Sequence, residues 1–256
     1  MASTIKYSDS TLIPSKENKH AIFAWYLSFF SAIAITMSLV FFKPDPFQEI
    51  IWFVSDGIIR TFQITISAMF FALIIGFFSG LGQIARNRLL NTISTVYVEV
   101  VRGIPLLVQL MYLYYGLGKL LSIGELPAAI AAISICYAAY LSEIFRAGIA
   151  AIPKGQMEAA LALGFSRKKA LFYLIIPQTF RMILPPLGNQ FIALLKDSSL
   201  VSILAVSDLL RRGREFASVS FKYFETYTLV ALIYLIITLF LSKLVALLED
   251  KFSYEE

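Results

Sequence analysis

The longest uncharged stretch of the sequence, Thr61–Ala85, reads TFQITISAMFFALIIGFFSGLGQIA and spans 25 residues. A membrane-spanning helix needs about 20 mostly apolar residues, so this stretch predicts a helix that crosses a bilayer. Within it, Gly76 and Gly80 are four residues apart, a spacing that lets two membrane helices approach closely. The alternative is that glycine is simply common in membrane helices.

The composition extends this prediction to most of the chain. Of the 256 residues, 58% are hydrophobic and 15% are charged, and the mean hydropathy is +0.75. Soluble domains are roughly 45–50% apolar and about 25% charged, so the composition excludes disordered, collagen-like and disulfide-rich proteins and most soluble enzymes. The single cysteine, Cys136, and single histidine, His20, disfavour a Cys/His metal site and a Ser-His-Asp triad within one chain.

Further apolar stretches lie on both sides of this helix. One precedes it, Ala21–Phe42, and others run over about 96–118, 126–143, 182–207 and 226–242. We therefore predict an all-α polytopic membrane protein with six transmembrane helices. Its parts are a cytoplasmic N-terminal tail (1–20), an additional N-terminal helix (21–42), an extracytoplasmic linker or interfacial segment (43–60), a transmembrane domain (61–249) and a C-terminal tail (250–256).

Lysine and arginine predict the orientation of these spans, because they are concentrated in cytoplasmic loops. With six spans, this rule places both termini and the segment Arg146–Arg181 in the cytoplasm. We read the net charge of +5 as part of this pattern and predict no nucleic-acid partner. The cluster Arg211–Arg214 falls outside, against the rule. Either this loop is an exception, or a re-entrant segment near Lys196 reverses the last two elements.

The cytoplasmic segment has the pattern of two helices joined by a tight turn. Gln156–Leu163 consists of good helix formers. Gly164 permits a left-handed turn at the helix end, Ser166 can cap a second helix, and Pro177 is expected to end it. Such a pair predicts a rigid knob, within a loop of about 149–177, that docks into another protein.

This segment resembles the EAA motif of ABC-importer permeases. The matching residues are Glu158, Ala159, Ala160, Gly164 and Pro177, in the spacing of that motif. Three other strings are similar to the polar amino acid uptake branch, which includes histidine/arginine, glutamine and glutamate/aspartate permeases: Val101–Gln109, Ala139–Gly148 and Pro185–Val201. The commonest members of that branch have five spans, so the helix at 21–42 is a departure.

The resemblance implies the fold and partners of a type I ABC importer permease in a bacterial cytoplasmic membrane. Two permease chains, identical or different, form the pore. Separate ATPase subunits bind ATP and Mg²⁺ and dock on the EAA knob, and an extracytoplasmic binding protein delivers the amino acid. The sequence contains no G-x-x-x-x-G-K-[ST], so we expect no cofactor and no ATP hydrolysis by a P-loop in this chain.

Polar residues within the apolar stretches are candidates for a substrate pathway. Tyr140 and Glu143 share one helix face with Cys136, at i, i+4 and i+7. Because ionisable groups in a membrane usually face a cavity or a partner, this carboxylate is a candidate to bind a substrate ammonium or guanidinium. The alternative is an i,i+3 pair with Arg146.

Further candidates come from other helices. Gln190 and Asp197 share one face, and with Ser198 they are expected to line the path, with Asp197 holding an α-amino group; a lysine–aspartate or interhelical salt bridge is the alternative. Arg102 can meet a substrate carboxylate or extend to lipid headgroups. The hydroxyl of Thr61 can line the substrate path, or it can donate a hydrogen bond to a backbone carbonyl of its own helix.

The sequence leaves two other functions open. In one, an ion-coupled secondary amino acid transporter uses Glu143 and Asp197 as a relay. In the other, the chain is a non-transporting membrane interaction subunit. A permease driven by a separate ATPase is the interpretation that the motifs favour.

Overall fold

A computed structural model describes residues 19–118, 120 and 122–252, and the regular structure of these residues is entirely helical. The all-α fold class is confirmed. The predicted tails, 1–20 and 250–256, lie mostly outside the described residues. The helices are α1 (Lys19–Phe42), α2 (Pro44–Gln83), α3 (Arg88–Gly103), α4 (Leu106–Met111), α5 (Glu125–Ala151), α6 (Lys154–Ala162), α7 (Arg167–Ala170), α8 (Ile176–Asp197), α9 (Leu209–Ser220) and α10 (Tyr223–Phe252). Short π-helices, Tyr112–Gly118 and Leu171–Ile175, follow α4 and α7, and a 3-10 helix, Ser198–Leu204, follows α8.

In the described part of the chain, five helical stretches are long and apolar enough to cross a membrane. A sixth span exists only if α3 and α4 act together, and these two helices are bent by 101°. The sequence predicted one span through this point. The helix breaks there because Pro105 has no amide hydrogen and its ring clashes with the preceding turn. The count of six spans stays a prediction.

Helix α5 lies at the centre of the fold. Of its membrane-length window, 67% is buried, compared with 6% of that of α1. α5 packs closely against α2, where Cβ atoms added at Gly76 or Gly80 would lie 2.8 Å from the Cβ of Leu141 or 2.9 Å from the Cβ of Phe145. These glycines therefore serve close helix packing, which decides between the two interpretations of their spacing.

Helix α2 is continuous from the residues after Asp45 to Gln83. At 1.5 Å per residue it measures about 57 Å, nearly twice the roughly 30 Å hydrocarbon thickness, so part of it extends beyond that layer. The sequence predicted an extracytoplasmic linker or interfacial segment over 43–60; most of these residues continue into the same helix as Thr61, and their place relative to the membrane stays a prediction. Gly57 does not break α2, because this glycine packs against α9: a Cβ there would lie 2.9 Å from the Asp208 carbonyl oxygen.

The stretch Arg167–Leu204 is also one continuous helical span. The expectation that Pro177 ends a helix is wrong, because a π-helical turn precedes it and Pro177 occupies the first turn of α8, where no amide hydrogen is needed. The helix does not reverse at Lys196, since the 3-10 helix continues in the same span. The re-entrant alternative is therefore wrong, and α9 lies beyond the opposite end of this span from α6.

Helices α1 and α10 run antiparallel along one side of the molecule. In the first third of α1, the indole nitrogen of Trp25 donates to the Leu239 carbonyl oxygen at 3.2 Å, in the second half of α10. Just after α1 ends, Asp45 Oδ1 lies 2.6 Å from Nζ of Lys222, just before α10 begins. The first part of α1 thus lies beside the second half of α10.

Candidate functional site

The knob predicted from the sequence is formed by α6, a tight turn and α7. Gly164 has φ +83°, and the turn carries two hydrogen bonds: Phe165 N–H donates to the Ala160 carbonyl and Gly164 N–H to the Leu161 carbonyl, both at 3.0 Å. This is a Schellman motif, which satisfies the last carbonyls of α6. The Ser166 hydroxyl accepts from the Lys169 N–H at 3.4 Å and caps α7.

The surface of the knob combines apolar and charged side chains. Leu163 is 78% exposed, and Glu158 and Ala159 are also exposed, whereas Ala160 is buried at 2%. Glu158 makes no hydrogen bond or ion pair with a described residue, so it is available to a partner. Pro177 lies away from this surface, in the first turn of α8.

Three predicted pathway residues, Arg102, Tyr140 and Glu143, come together between α3 and α5. Glu143 accepts from Arg146 at 2.9 and 3.2 Å, and Arg102 Nη1 lies 3.8 Å from its Oε2. The guanidinium of Arg102 also lies 5.3 Å from the Tyr140 ring centroid. Glu143 thus has the Arg146 pairing that the sequence offered as the alternative, and its charge is balanced by two cations.

Gln109, which the sequence analysis did not select, holds the bend between α3 and α4. Its side-chain nitrogen donates at 2.8 Å to the carbonyls of both Val101 and Ile104, and lies 3.6 Å from the Cys136 sulfur. These carbonyls need a donor because Pro105 interrupts the helix. The signal available in the sequence was a polar residue four positions after a proline in an apolar run.

The predicted pathway residues on and just after α8 have different surroundings. Asp197 is exposed, and its Oδ2 accepts a 2.7 Å hydrogen bond from the hydroxyl of Tyr137 on α5. No ion pair between Lys196 and Asp197 forms among the described residues. Ser198 is fully buried and donates to its own helix at 2.8 Å, and Gln190 is partly buried on the same helix.

Thr61 lies apart from these residues, at the junction of α2 and α9. It is 1% exposed, and its hydroxyl accepts from the Leu209 N–H at 3.1 Å. The buried Asp208 caps the same helix start by accepting from the N–H groups of Leu210 and Arg211 at 3.1 and 3.0 Å. Burial raises the pKa of Asp208 to about 6, although these N–H donors oppose the shift.

Two of the arginines that opposed the topology rule, Arg211 and Arg212, are paired with carboxylates. Arg211 lies 2.8 Å and Arg212 3.2 Å from Glu215, and Arg212 also pairs with Asp56 on α2. The hydrogen bond that Arg211 donates lowers the pKa of Glu215, and the hydrogen bond that Arg212 donates to Asp56 raises the pKa of Arg212. Local carboxylates thus offset this positive cluster.

Comparisons with known proteins agree with this architecture. The family described as "binding-protein-dependent transport system inner membrane component" matches residues 72–254. The probable amino-acid permease protein YxeN of Bacillus subtilis is 41% identical over 199 residues, covering 75% of this chain and 88% of that protein. The glutamine transport system permease protein GlnP of Escherichia coli is 39% identical over 199 residues, covering 77% and 91%.

One solved structure is similar to this chain over most of the length of both chains. The crystal structure of an amino acid ABC transporter with histidines has a TM-score of 0.74 and 38% sequence identity, and the match covers 84% of this chain and 97% of that one. The resemblance to polar amino acid permeases of ABC importers, predicted from the motifs, is confirmed. The chain belongs to the family of binding-protein-dependent transport system inner membrane components.

Proposed function

We propose that this chain is the membrane-spanning subunit of an ATP-driven importer that translocates a polar amino acid across the cytoplasmic membrane. The observation that supports this proposal most directly is the knob, whose Schellman turn and exposed Glu158 and Leu163 form a compact surface at one end of a membrane span. Family membership favours this function over an ion-coupled transporter and over a non-transporting subunit.

The knob is the docking surface for a separate ATPase, which binds ATP and Mg²⁺. Glu158, Ala159 and Gly164 are its contact and turn residues, while Ala160 anchors it from inside. Pro177 acts at a distance, by setting the start of α8. A binding protein outside the cell and a second permease chain, identical or different, complete the transporter.

The substrate pathway follows the exposed faces of α3, α5 and α8. Arg102 meets the substrate carboxylate, because Glu143 is shared between two guanidiniums and the Arg102 contact is the longer, at 3.8 Å. Asp197 binds the α-ammonium group, and Tyr140 lies beside both Arg102 and Tyr137, the tyrosine bonded to Asp197. Charged groups at membrane depth need a cavity or a protein partner, and the second permease chain covers this face.

Both termini lie in the cytoplasm, and residues 61–249 form the transporting domain. The antiparallel contact of α1 and α10 supports a common side for the two ends. The transporter crosses the membrane six times per chain when the bent pair α3–α4 is one span. The extra helix α1 lies against α10, outside the central packing of α5.

The test is uptake by the reconstituted transporter. The permease, its ATPase and its binding protein are placed in proteoliposomes, after a thermal-shift screen of the binding protein against the twenty amino acids identifies a substrate. We expect uptake that requires internal ATP and persists when an uncoupler abolishes ion gradients. Uptake that stops with the uncoupler while ATP is retained would contradict the proposal.

A further inference from the structure

A buried tyrosine meets an exposed carboxylate where α5 packs against the end of α8. The side chain of Tyr137 is 3% exposed and belongs to the main hydrophobic core. Its hydroxyl donates to Oδ2 of Asp197 at 2.7 Å, a normal distance for a hydrogen bond between a hydroxyl and an oxygen acceptor. Tyr137 is thus the contact that links Asp197 to the rigid centre of the molecule.

The two oxygens of the Asp197 carboxylate have different surroundings. Oδ2 accepts the bond from Tyr137, whereas Oδ1 makes no hydrogen bond with any described residue. Because the side chain is exposed, Oδ1 is open to a cation that approaches from outside the packed core. One oxygen therefore fixes the orientation of the carboxylate and the other is left for a ligand.

The tyrosine itself has little freedom to move. Its ring packs in the same cluster as Leu141 on its own helix and Leu194 on α8, so its hydroxyl is held in one place relative to both helices. The neighbouring ring of Tyr140 lies 6.0 Å away, and the guanidinium of Arg102 lies 5.3 Å from the centroid of the Tyr140 ring. A chain of contacts through the two rings thus joins a carboxylate to a guanidinium, the two kinds of group that bind the ammonium and the carboxylate of an amino acid.

We propose that Tyr137 is the positioning residue for substrate binding: it holds Asp197 so that the free carboxylate oxygen binds the cationic group of an amino acid. The inference rests on the proposed function, in which Asp197 contacts the substrate. Tyr137 does not touch the substrate, because it is buried. Its contribution is to remove the rotational freedom of Asp197 before the substrate arrives.

The experiment is Tyr137→Phe in the reconstituted transporter, with the amino acid identified by the binding-protein screen. This change removes the hydroxyl and keeps the ring, so packing is preserved. We expect the KM for uptake to rise about tenfold, with the maximal rate changed less than about threefold and the thermal unfolding temperature nearly unchanged.

Tyr97→Phe is the matched control. The hydroxyl of Tyr97 makes a bond of the same length, 2.7 Å, to the backbone carbonyl of Ile135 on the same helix α5. If tyrosine hydroxyls only stabilise the fold, the two variants behave alike, and that result would overturn the inference. A rise in KM for Tyr137→Phe alone supports it.

A double-mutant cycle separates this inference from the proposed function. If Asp197→Asn leaves KM unchanged, the proposed contact of Asp197 with the substrate is wrong. If Asp197→Asn raises KM and Tyr137→Phe does not, the contact stands and the positioning role is wrong. We expect Tyr137→Phe to change KM by less than about twofold in the Asp197→Asn background, since coupled residues are not additive.

Discussion

At Gly164 the backbone enters the left-handed region, and that one conformation closes the knob. A Cβ there would meet nothing within 4 Å, so the constraint comes from φ +83° and not from crowding. For a residue with a Cβ this region costs roughly 1–2 kcal/mol, and a β-branched side chain fits it worst. Loss of the turn would release the two hydrogen bonds that orient α6 against α7.

We therefore expect Gly164→Val to lower ATP-driven uptake at least about tenfold, because its strain shifts the knob, while insertion into the membrane is retained. Gly164→Asn should keep most activity, since asparagine tolerates positive φ. Gly155→Val is the control, because Gly155 lies on the same knob with open space around it and has no positive φ. Equal uptake by the two valine variants would show that the turn is not needed.

The buried carboxyl of Asp208 should make the folding stability of the protein depend on pH. Its pKa is raised from 3.8 to about 6 by burial, so the folded state favours the protonated form. The stabilisation that the folded state gains from the protonated carboxyl is complete below the unfolded pKa near 4 and is lost as the pH rises through about 6. The pKa shift corresponds to about 3 kcal/mol of folding stability in total. The carboxylate that remains above pH 6 still caps α9.

We expect Asp208→Asn to remove this dependence, because asparagine is neutral and also a good helix cap. Thermal unfolding in detergent, measured from pH 4.5 to 7.5, should show a decline in the wild-type protein that the variant lacks. The variant should be the more stable of the two above pH 6. The same pH slope for both proteins would contradict this account of Asp208.

Among the elements, the packing of α2 on α5 depends on glycine. We expect Gly76→Ala to destabilise the protein by about 1–3 kcal/mol, because the new Cβ would lie 2.8 Å from Leu141 Cβ and 2.9 Å from the Ala138 carbonyl oxygen. Gly103→Ala is the matched control, since a Cβ at Gly103 meets nothing within 4 Å. Thermal unfolding of both variants in detergent measures the difference, and equal stabilities would show that α2 and α5 can separate.

The bend between α3 and α4 illustrates a second way in which one element depends on another. Pro105 removes a backbone donor, and the Gln109 side chain donates to the carbonyl of Ile104 and to that of Val101, which also accepts a long bond of 3.4 Å from the Ile104 N–H. The bend also brings Arg102, in the last turn of α3, to Glu143 and Tyr140 on α5. The break between α3 and α4 is thus accompanied by a contact between α3 and α5.

For the whole molecule, the orientation in the membrane is open to a direct test. Leu163 on the knob is 78% exposed and Val219 on α9 is 84% exposed, and one membrane span separates their helices. In a Cys136→Ala background, which has no other cysteine, a membrane-impermeant maleimide added to intact cells should label Val219→Cys and not Leu163→Cys. Inverted vesicles should show the opposite labelling.

Labelling of both cysteines from the same side would contradict the topology. Whether α3 and α4 form one span does not affect this expectation of opposite sides, because α9 and the knob lie at opposite ends of the span Arg167–Leu204 in either case. The paired charges of Arg211 and Arg212 offset part of the positive cluster that the proposed topology places outside.

Much of the architecture could be predicted because it depends on local chemistry. Long apolar runs predict spanning helices wherever they occur, and Gly164 and Ser166 carry the turn and the cap within a few residues of each other. The error at Pro177 had a different origin. This proline was read by its usual local effect, whereas a π-helical turn before it lets it lie within a continuous helical span.

The candidate site shows the same limit more clearly. Arg102, Tyr140, Glu143 and Asp197 were selected by their chemistry, but their partners lie on other helices or on the next turn. Tyr137 carried no signal, because it is one of 13 tyrosines in an apolar sequence. Thr61 looked like a path residue and instead supports the start of α9.

By itself the sequence determined that the chain is a helical membrane protein with a helix–turn–helix knob, because hydrophobic runs and turn residues act over short distances along the chain. The tertiary structure alone decided which charges are neutralised and which remain available. Glu143 is held by two arginines, while Asp197 keeps one free oxygen. The i,i+3 spacing offered Arg146 as a partner of Glu143, but the contacts of Glu143 with Arg102 and of Asp197 with Tyr137 depend on distances of a few ångströms between separate helices, which no spacing within one helix specifies.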